Sequence, residues 1–261
     1  MPEVQNPATY EQCMAFTDRI DHSVREARGM LAALRLDGKI KIAFDEWNLR
    51  SWHHPNVHTI KQGVGKDSYV TPRDKNDDNS VYTMADAVFT ACFLNAMNRH
   101  CDIVGMANFA PILNTRGCIY SHDDGIVLRS TYHVFDLYVN QLGDQVIDLW
   151  QQGDMPAMTV PHKWGGERTV DCLDLLATTF SDKSGMAVAA VNKDGEHAHT
   201  IAIPLDKPAG VTLLTLNGDS KDAYNDVDHN GVTVKETVLG LCEGAVEIAL
   251  EAHSVNVIRI E

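Results

Sequence analysis

The apolar positions of this chain change period a little past its midpoint, and that change divides it. Over residues 8–35 they recur at three-to-four spacing (Tyr10, Met14, Ile20, Val24, Ala27, Leu31, Leu34), which predicts one amphipathic helix. Thr9 followed by Gln12 gives that helix a capping-box signature. Asp37-Gly38 closes it and leads into Ile40-Lys41-Ile42-Ala43-Phe44, a mostly apolar run of buried-strand length. From Leu49 to Ser80 no period is sustained, while Gly, Pro, Asn, Asp and His crowd together. A loop that long inside a compact domain is as a rule functional. A second helix is predicted from about Val81 to His100, apolar at Met84, Ala87, Val88, Ala91, Leu94 and Met97. It is followed by a second buried strand, Ile103 to Ala107, and by a short helix over 129–142 that Gly143 stops. Helix, strand, long loop, helix, strand is α/β order, with the strands parallel.

After residue 145 the pattern shortens to β-rich runs: Thr169–Thr178, Met186–Asn192, His199–Ile203, Val211–Leu216, Gly231–Val234 and Val255–Ile260. Turn-forming segments separate them, Ser181–Gly185, Asn192–Gly195 and Asn217–Ser220 among them. That spacing predicts an antiparallel β-sandwich. The expected organisation is therefore α/β over residues 1–145 and all-β over residues 146–261.

The first strand stops abruptly at Asp45-Glu46-Trp47-Asn48. A parallel strand covered on both faces opens its C-terminal end into the crevice where α/β proteins bind ligands, so Glu46 is expected at the floor of a site. Acidic residues also end strands for no chemical reason. What favours chemistry is the company: Trp47, Asn48, Arg50, Trp52, His53 and His54 follow within eight residues, a mixture of aromatic and hydrogen-bonding groups suited to a sugar. Asn48, Trp52 and His54 are candidate substrate contacts, Trp52 as a subsite wall or else as a ring that pins its loop by burial. Trp47, next to Glu46 on a strand, should face away from it and pack in the core. Asn108, at the end of the second strand, is a further candidate contact. Both it and Asn114 could donate to a sugar hydroxyl or tie down their own loop. Asp123-Asp124-Gly125 reads as a turn.

Charge and composition narrow the partners. A net charge of −14 argues against nucleic acid or an anionic membrane, which need clustered Lys and Arg, whereas a neutral carbohydrate fits. With 44% apolar residues in 261, the chain has ample material for a core. No apolar run reaches bilayer length, and Met1-Pro2-Glu3-Val4 lacks the basic and apolar regions of a secretion signal, so a cytoplasmic location is expected. The six cysteines lie far apart and are expected to be mostly reduced, buried small hydrophobes. His53, His54 and His58 could suggest a metal, but Pro55 opposes the helical spacing that would aim His54 and His58 at one ion. No metal and no cofactor is expected. A phosphate loop and a Gly-x-Ser-x-Gly elbow are both missing from the sequence, which leaves kinase, dehydrogenase and esterase chemistry without support.

Taken together, Phe44-Asp45-Glu46-Trp47-Asn48, then Ala107-Asn108-Phe109-Ala110-Pro111-Ile112-Leu113-Asn114 on the next strand, then a β-sandwich resemble the C-terminal half of the family 51 glycoside hydrolases, the intracellular α-L-arabinofuranosidases. The resemblance runs through most of the chain. It implies a partial TIM (β/α)8 barrel, its last two βα units, followed by the β-sandwich, with Glu46 as catalytic nucleophile on the seventh barrel strand. It also implies a retaining glycosidase acting on arabinose-containing oligosaccharides or polysaccharides, arabinan and arabinoxylan among them, and a homo-oligomer in the full-length enzyme. Retention needs one carboxylate to attack the anomeric carbon and a second carboxylic acid about 5 Å away to protonate the leaving oxygen. The family's acid/base lies in an Asn-Glu pair, and no Asn-Glu dipeptide occurs in these 261 residues. Pro111 stands where many members carry a sugar-binding glutamine. The alternative expectation is thus a catalytically silent fragment, or a structural half that needs an upstream chain to complete its barrel.

Overall fold

The computed structural model describes residues 8–49, 78–109, 111–162, 165–182 and 185–261. Arg50, Trp52, His53, His54 and His58 lie outside these described residues, as does most of the Leu49–Ser80 loop. The first helical segment is two helices, α1 (Tyr10–Phe16) and α2 (Asp18–Ala33), not one. The capping box forms as expected: Gln12 N–H donates to Thr9 Oγ1 at 3.2 Å and Thr9 N–H to Gln12 Oε1 at 3.1 Å. The division comes from Thr17, whose hydroxyl donates to the Met14 carbonyl at 2.7 Å while its N–H bonds the same carbonyl, tightening the turn to three-residue steps. The end of α2 also differs from expectation. Arg35 takes the left-handed conformation (φ 58°), and Leu36 N–H to Leu31 O at 2.8 Å with Arg35 N–H to Ala32 O at 2.9 Å completes a Schellman motif ahead of Gly38.

Two strands, β1 (Ile42–Trp47) and β2 (Val104–Phe109), pair in parallel, with Ile42 opposite Val104 and Trp47 opposite Phe109. Between them runs α3 (Met84–Arg99), opened by a second capping box on Thr83 and Asp86. Thirteen of its sixteen residues are buried, so it is a core helix and not a surface one. The expectation of two buried strands is corrected here. Phe44, Val104 and Phe109 pack on the core, but Ala43, Gly105 and Ala107 are exposed and Met106 is 49% exposed. Among the described residues no strand pairs with either outer edge, so the sheet is half clothed.

Next come the hairpin β3 (Ile119–His122) and β4 (Gly125–Leu128), turned at Asp123-Asp124 as anticipated, and α4 (Ser130–Gln141). The remaining chain is β: β5 (Gln145–Ile147), β6 (Ala157–Pro161), β7 (Glu167–Asp171), β8 (Leu173–Thr179), β9 (Met186–Asn192), β10 (His199–Pro204), β11 (Ala209–Gly218), β12 (Asn225–Asp226), β13 (His229–Asn230), β14 (Val232–Cys242), β15 (Ala245–Leu250) and β16 (Val255–Ile260). Six of these form an antiparallel sheet in the order β14-β11-β16-β9-β8-β5, and β10 pairs with β15 as a second layer. The single run expected over Thr169–Thr178 is two strands in different sheets, because Cys172 breaks it by bonding its N–H to Pro156 O and its carbonyl to Lys193 N–H, both at 2.7 Å.

Period-two alternation on the central strands builds two cores at once. Ala187, Ala189 and Val191 of β9 with Val255 and Val257 of β16 face the helices, alongside Met14, Phe89, Phe93, Val134 and Leu137. Val188, Ala190, Ile258 and Ile260 face the other way, against Val246, Ile248 and Leu250 of β15. The helical layer and the β-domain thus share one continuous core. The expected division between residues 145 and 146 falls inside β5. Among the described residues no helix is long and apolar enough to cross a membrane.

Candidate active site at the end of the parallel strands

Glu46 sits one residue before the C-terminal end of β1, and alternation along the strand sends it and Trp47 to opposite faces. Trp47 goes inward, as expected. Its ring is 5% exposed, stacks on Phe93 at 5.2 Å and meets Phe109 edge-on at 5.1 Å. That aromatic cluster fixes the strand end from which Glu46 projects.

Among the described residues the Glu46 side chain is 63% exposed. Its charged neighbour is Arg116, whose Nη1 lies 4.0 Å from Glu46 Oε1. Asn108, at the end of β2, is exposed on the same C-terminal edge of the strand pair, and Asn48 is half-buried just beyond Glu46. Asn114 ties down its own loop: it adopts φ 54° and its Oδ1 accepts from Ser121 N–H at 2.7 Å.

Arg116 rides on a tight turn closed by Gly117 N–H to Asn114 O at 2.7 Å. Only glycine fits at 117, since a Cβ there would lie 2.6 Å from the Ile112 carbonyl. Beneath the turn lies Arg129, fully buried at the start of α4. Its guanidinium donates to Thr115 O at 2.5 Å, to Gly117 O at 3.1 Å and to Asn79 Oδ1 at 2.8 Å, and lies over the Tyr82 ring at 3.9 Å. One arginine therefore braces the turn that carries another to Glu46. Sequence reasoning missed both. The available signal was Asn114-Thr115-Arg116-Gly117, a turn-forming run with a cation just past the second strand, on the same edge as Glu46.

A cavity of about 1180 Å³ lies elsewhere among the described residues, between α2 and the β5–β8 region. Several of its charges are paired with one another. Arg99 donates to Asp174 Oδ1 at 2.7 Å and to Asp21 Oδ2 at 2.8 Å, His100 Nε2 is 2.9 Å from Asp21 Oδ1, and Lys193, almost wholly buried, reaches Asp18 Oδ1 at 3.1 Å. Burial works against the Asp21 carboxylate, but the Arg99 hydrogen bond and charge outweigh it and hold the group below its ordinary range. This network joins α2 and α3 to β8 and serves the fold.

Residues 45–254 match the family model described as the alpha-L-arabinofuranosidase C-terminal domain. The chain is 26% identical over 261 residues to the probable alpha-L-arabinofuranosidase C of Aspergillus niger, covering 99% of this chain and 46% of that protein. With an intracellular exo-alpha-(1->5)-L-arabinofuranosidase of Bifidobacterium longum it shares 24% identity over 191 residues, 67% of this chain and 31% of that one. In fold it resembles the alpha-L-arabinofuranosidase of Thermotoga maritima, solved as an arabinose complex, with a TM-score of 0.74 at 23% identity over 97% of this chain and 49% of that chain. The chain spans less than half the length of the curated relatives named here. On these matches the chain belongs to the α-L-arabinofuranosidase C-terminal domain family, as the counterpart of the C-terminal half of the family 51 glycoside hydrolases.

Proposed function

We propose that this chain is the nucleophile-bearing half of a retaining α-L-arabinofuranosidase. Glu46 attacks the anomeric carbon of a terminal α-L-arabinofuranosyl group and forms a covalent glycosyl-enzyme, while an acid on the other half protonates the departing oxygen. Water then releases the sugar, with that same residue acting as base. In this reading β1 and β2 are the last two strands of a (β/α)8 barrel, and residues 1–145 and 146–261 are its C-terminal portion and the β-sandwich. The supporting observation is the placement of Glu46: a carboxylate presented at the C-terminal end of a parallel strand, where barrel enzymes do their chemistry, with a braced guanidinium 4.0 Å away. Arg116 orients the carboxylate, and Asn48, Trp52, His54 and Asn108 contact the sugar. The substrates are arabinan- and arabinoxylan-type oligosaccharides, met in the cytoplasm by a homo-oligomer of the full-length enzyme.

A second reading has its own observation. Glu46 is mostly exposed, and no strand among the described residues covers either edge of the β1–β2 pair, so the chain by itself is catalytically silent. Hydrolysis of p-nitrophenyl α-L-arabinofuranoside tests both, and turnover by this chain alone refutes the second. Under the first reading, adding the N-terminal half of a relative produces activity that Glu46→Ala abolishes; activity that survives Glu46→Ala refutes the nucleophile assignment.

A further inference from the structure

On the β-domain, Cys172, Asp194 and His199 converge, each offering one donor atom, with the three atoms within 4.8 Å of one another. Cys172 is buried in the break between β7 and β8, its backbone pinned on both sides by the 2.7 Å bonds already described. Asp194 lies in the connection from β9 to β10. Its Oδ1 accepts from the backbone N–H groups of Glu196 at 2.9 Å and His197 at 3.1 Å, which aims Oδ2 at the other two donors. His199 Nε2 is 3.0 Å from that oxygen and Cys172 Sγ is 4.0 Å from it.

We propose that Cys172, Asp194 and His199 form a binding site for a divalent transition metal ion of the zinc class. A tetrahedral zinc with its usual bond lengths sets sulfur, oxygen and nitrogen donors about 3.3–3.6 Å apart. The observed 3.0 and 4.0 Å distances to Asp194 Oδ2 bracket that figure, and all three donors lie within 4.8 Å of one another. One thiol, one imidazole and one carboxylate suit zinc and its neighbours, not calcium or magnesium, which require oxygen throughout. His197, exposed and with Nδ1 3.3 Å from Asp194 Oδ1, lies outside the three-donor group, and water fills the fourth position. Lys193, the nearest cation in sequence, has its ammonium committed to Asp18 at 3.1 Å. Binding replaces the Cys172 thiol proton with the ion and releases that proton to solvent.

Titration of the metal-stripped full chain with Co²⁺ tests this, since a cobalt thiolate bond has a charge-transfer absorption that oxygen and nitrogen ligands do not give. The expected result is a thiolate-to-cobalt band saturating at one equivalent, displaced by Zn²⁺, lost in Cys172→Ser and kept in Cys101→Ser. His199→Gln, a substitution at a half-buried strand end, weakens binding by about tenfold or more. A chain with no such band at one equivalent, or a band that persists in Cys172→Ser, overturns the proposal.

Discussion

Arg129 and Arg116 differ in what they hold, and the difference is measurable. Removing Arg129 leaves the Thr115 and Gly117 carbonyls and the buried Asn79 amide short of a donor, so Arg129→Met should cost about 3–5 kcal/mol in denaturant unfolding. Arg116 faces an exposed carboxylate, and Arg116→Ala should change stability by less than about 1 kcal/mol while lowering the activity of the assembled enzyme. A comparable stability loss in both variants would contradict the division of roles. Asp21 supplies the pH dependence. Its folded value lies below the unfolded one, so its contribution is present above about pH 4 and is lost as pH falls through the folded value. The stability gap between the wild type and Asp21→Asn should therefore narrow below about pH 4, and a gap that stays constant from pH 7 to pH 2 would rule this out. The inward packing of Trp47 was legible in the sequence, because strand alternation is a local signal. Arg129 stands 12 residues beyond Gly117 and 50 beyond Asn79, and the value of such a contact is invisible until the chain is folded.

At the scale of elements, periodicity predicted the helices closely. It placed α3 and α4 to within a few residues, and β9 to the residue, since the run Met186 to Asn192 is bounded by turn chemistry on both sides. Where it failed, the causes are physical. Thr17 divides α1 from α2 through a side-chain bond, and Cys172 turns one apparent strand into two. β14 was expected to span four residues and runs for eleven, because Lys235, Glu236 and Thr237 on an edge strand dilute the apolar signal. β15 is a missed opportunity. Val246, Ile248 and Leu250 are buried and alternate with exposed Ala245, Glu247 and Ala249, the plain period of a half-buried strand. Small residues on β9 let α3 lie close to the sheet. Ala189, fully buried against that helical layer, has no room to grow, and Ala189→Leu should destabilise by about 1–3 kcal/mol in thermal unfolding. An unchanged transition would mean that the contact is looser than described.

At the scale of the molecule, the sandwich and the helices that share its core are self-supporting, while the β1–β2 pair is dressed on one side only. β14 is a further unpaired edge among the described residues, with Val238 71% and Leu241 72% exposed. Unpaired edges beside apolar surface invite association, so the isolated chain should bind a dye for exposed apolar surface and elute from size exclusion as a concentration-dependent mixture. Elution as a monomer at every concentration, with no dye bound, would argue against an unfinished surface. The β-rich character of the chain after residue 145 was legible in its shortened hydrophobic period, whereas the core that the helices share with those strands was not. The open edges of the β1–β2 pair, as seen among the described residues, were legible in the sequence as two βα units without further strands to close them. The most direct test of the central claim is the rate of p-nitrophenyl α-L-arabinofuranoside hydrolysis by this chain joined to an N-terminal half, measured with and without Glu46→Gln. The account predicts a fall of about a thousandfold or more on that substitution. Equal rates from the two would contradict it.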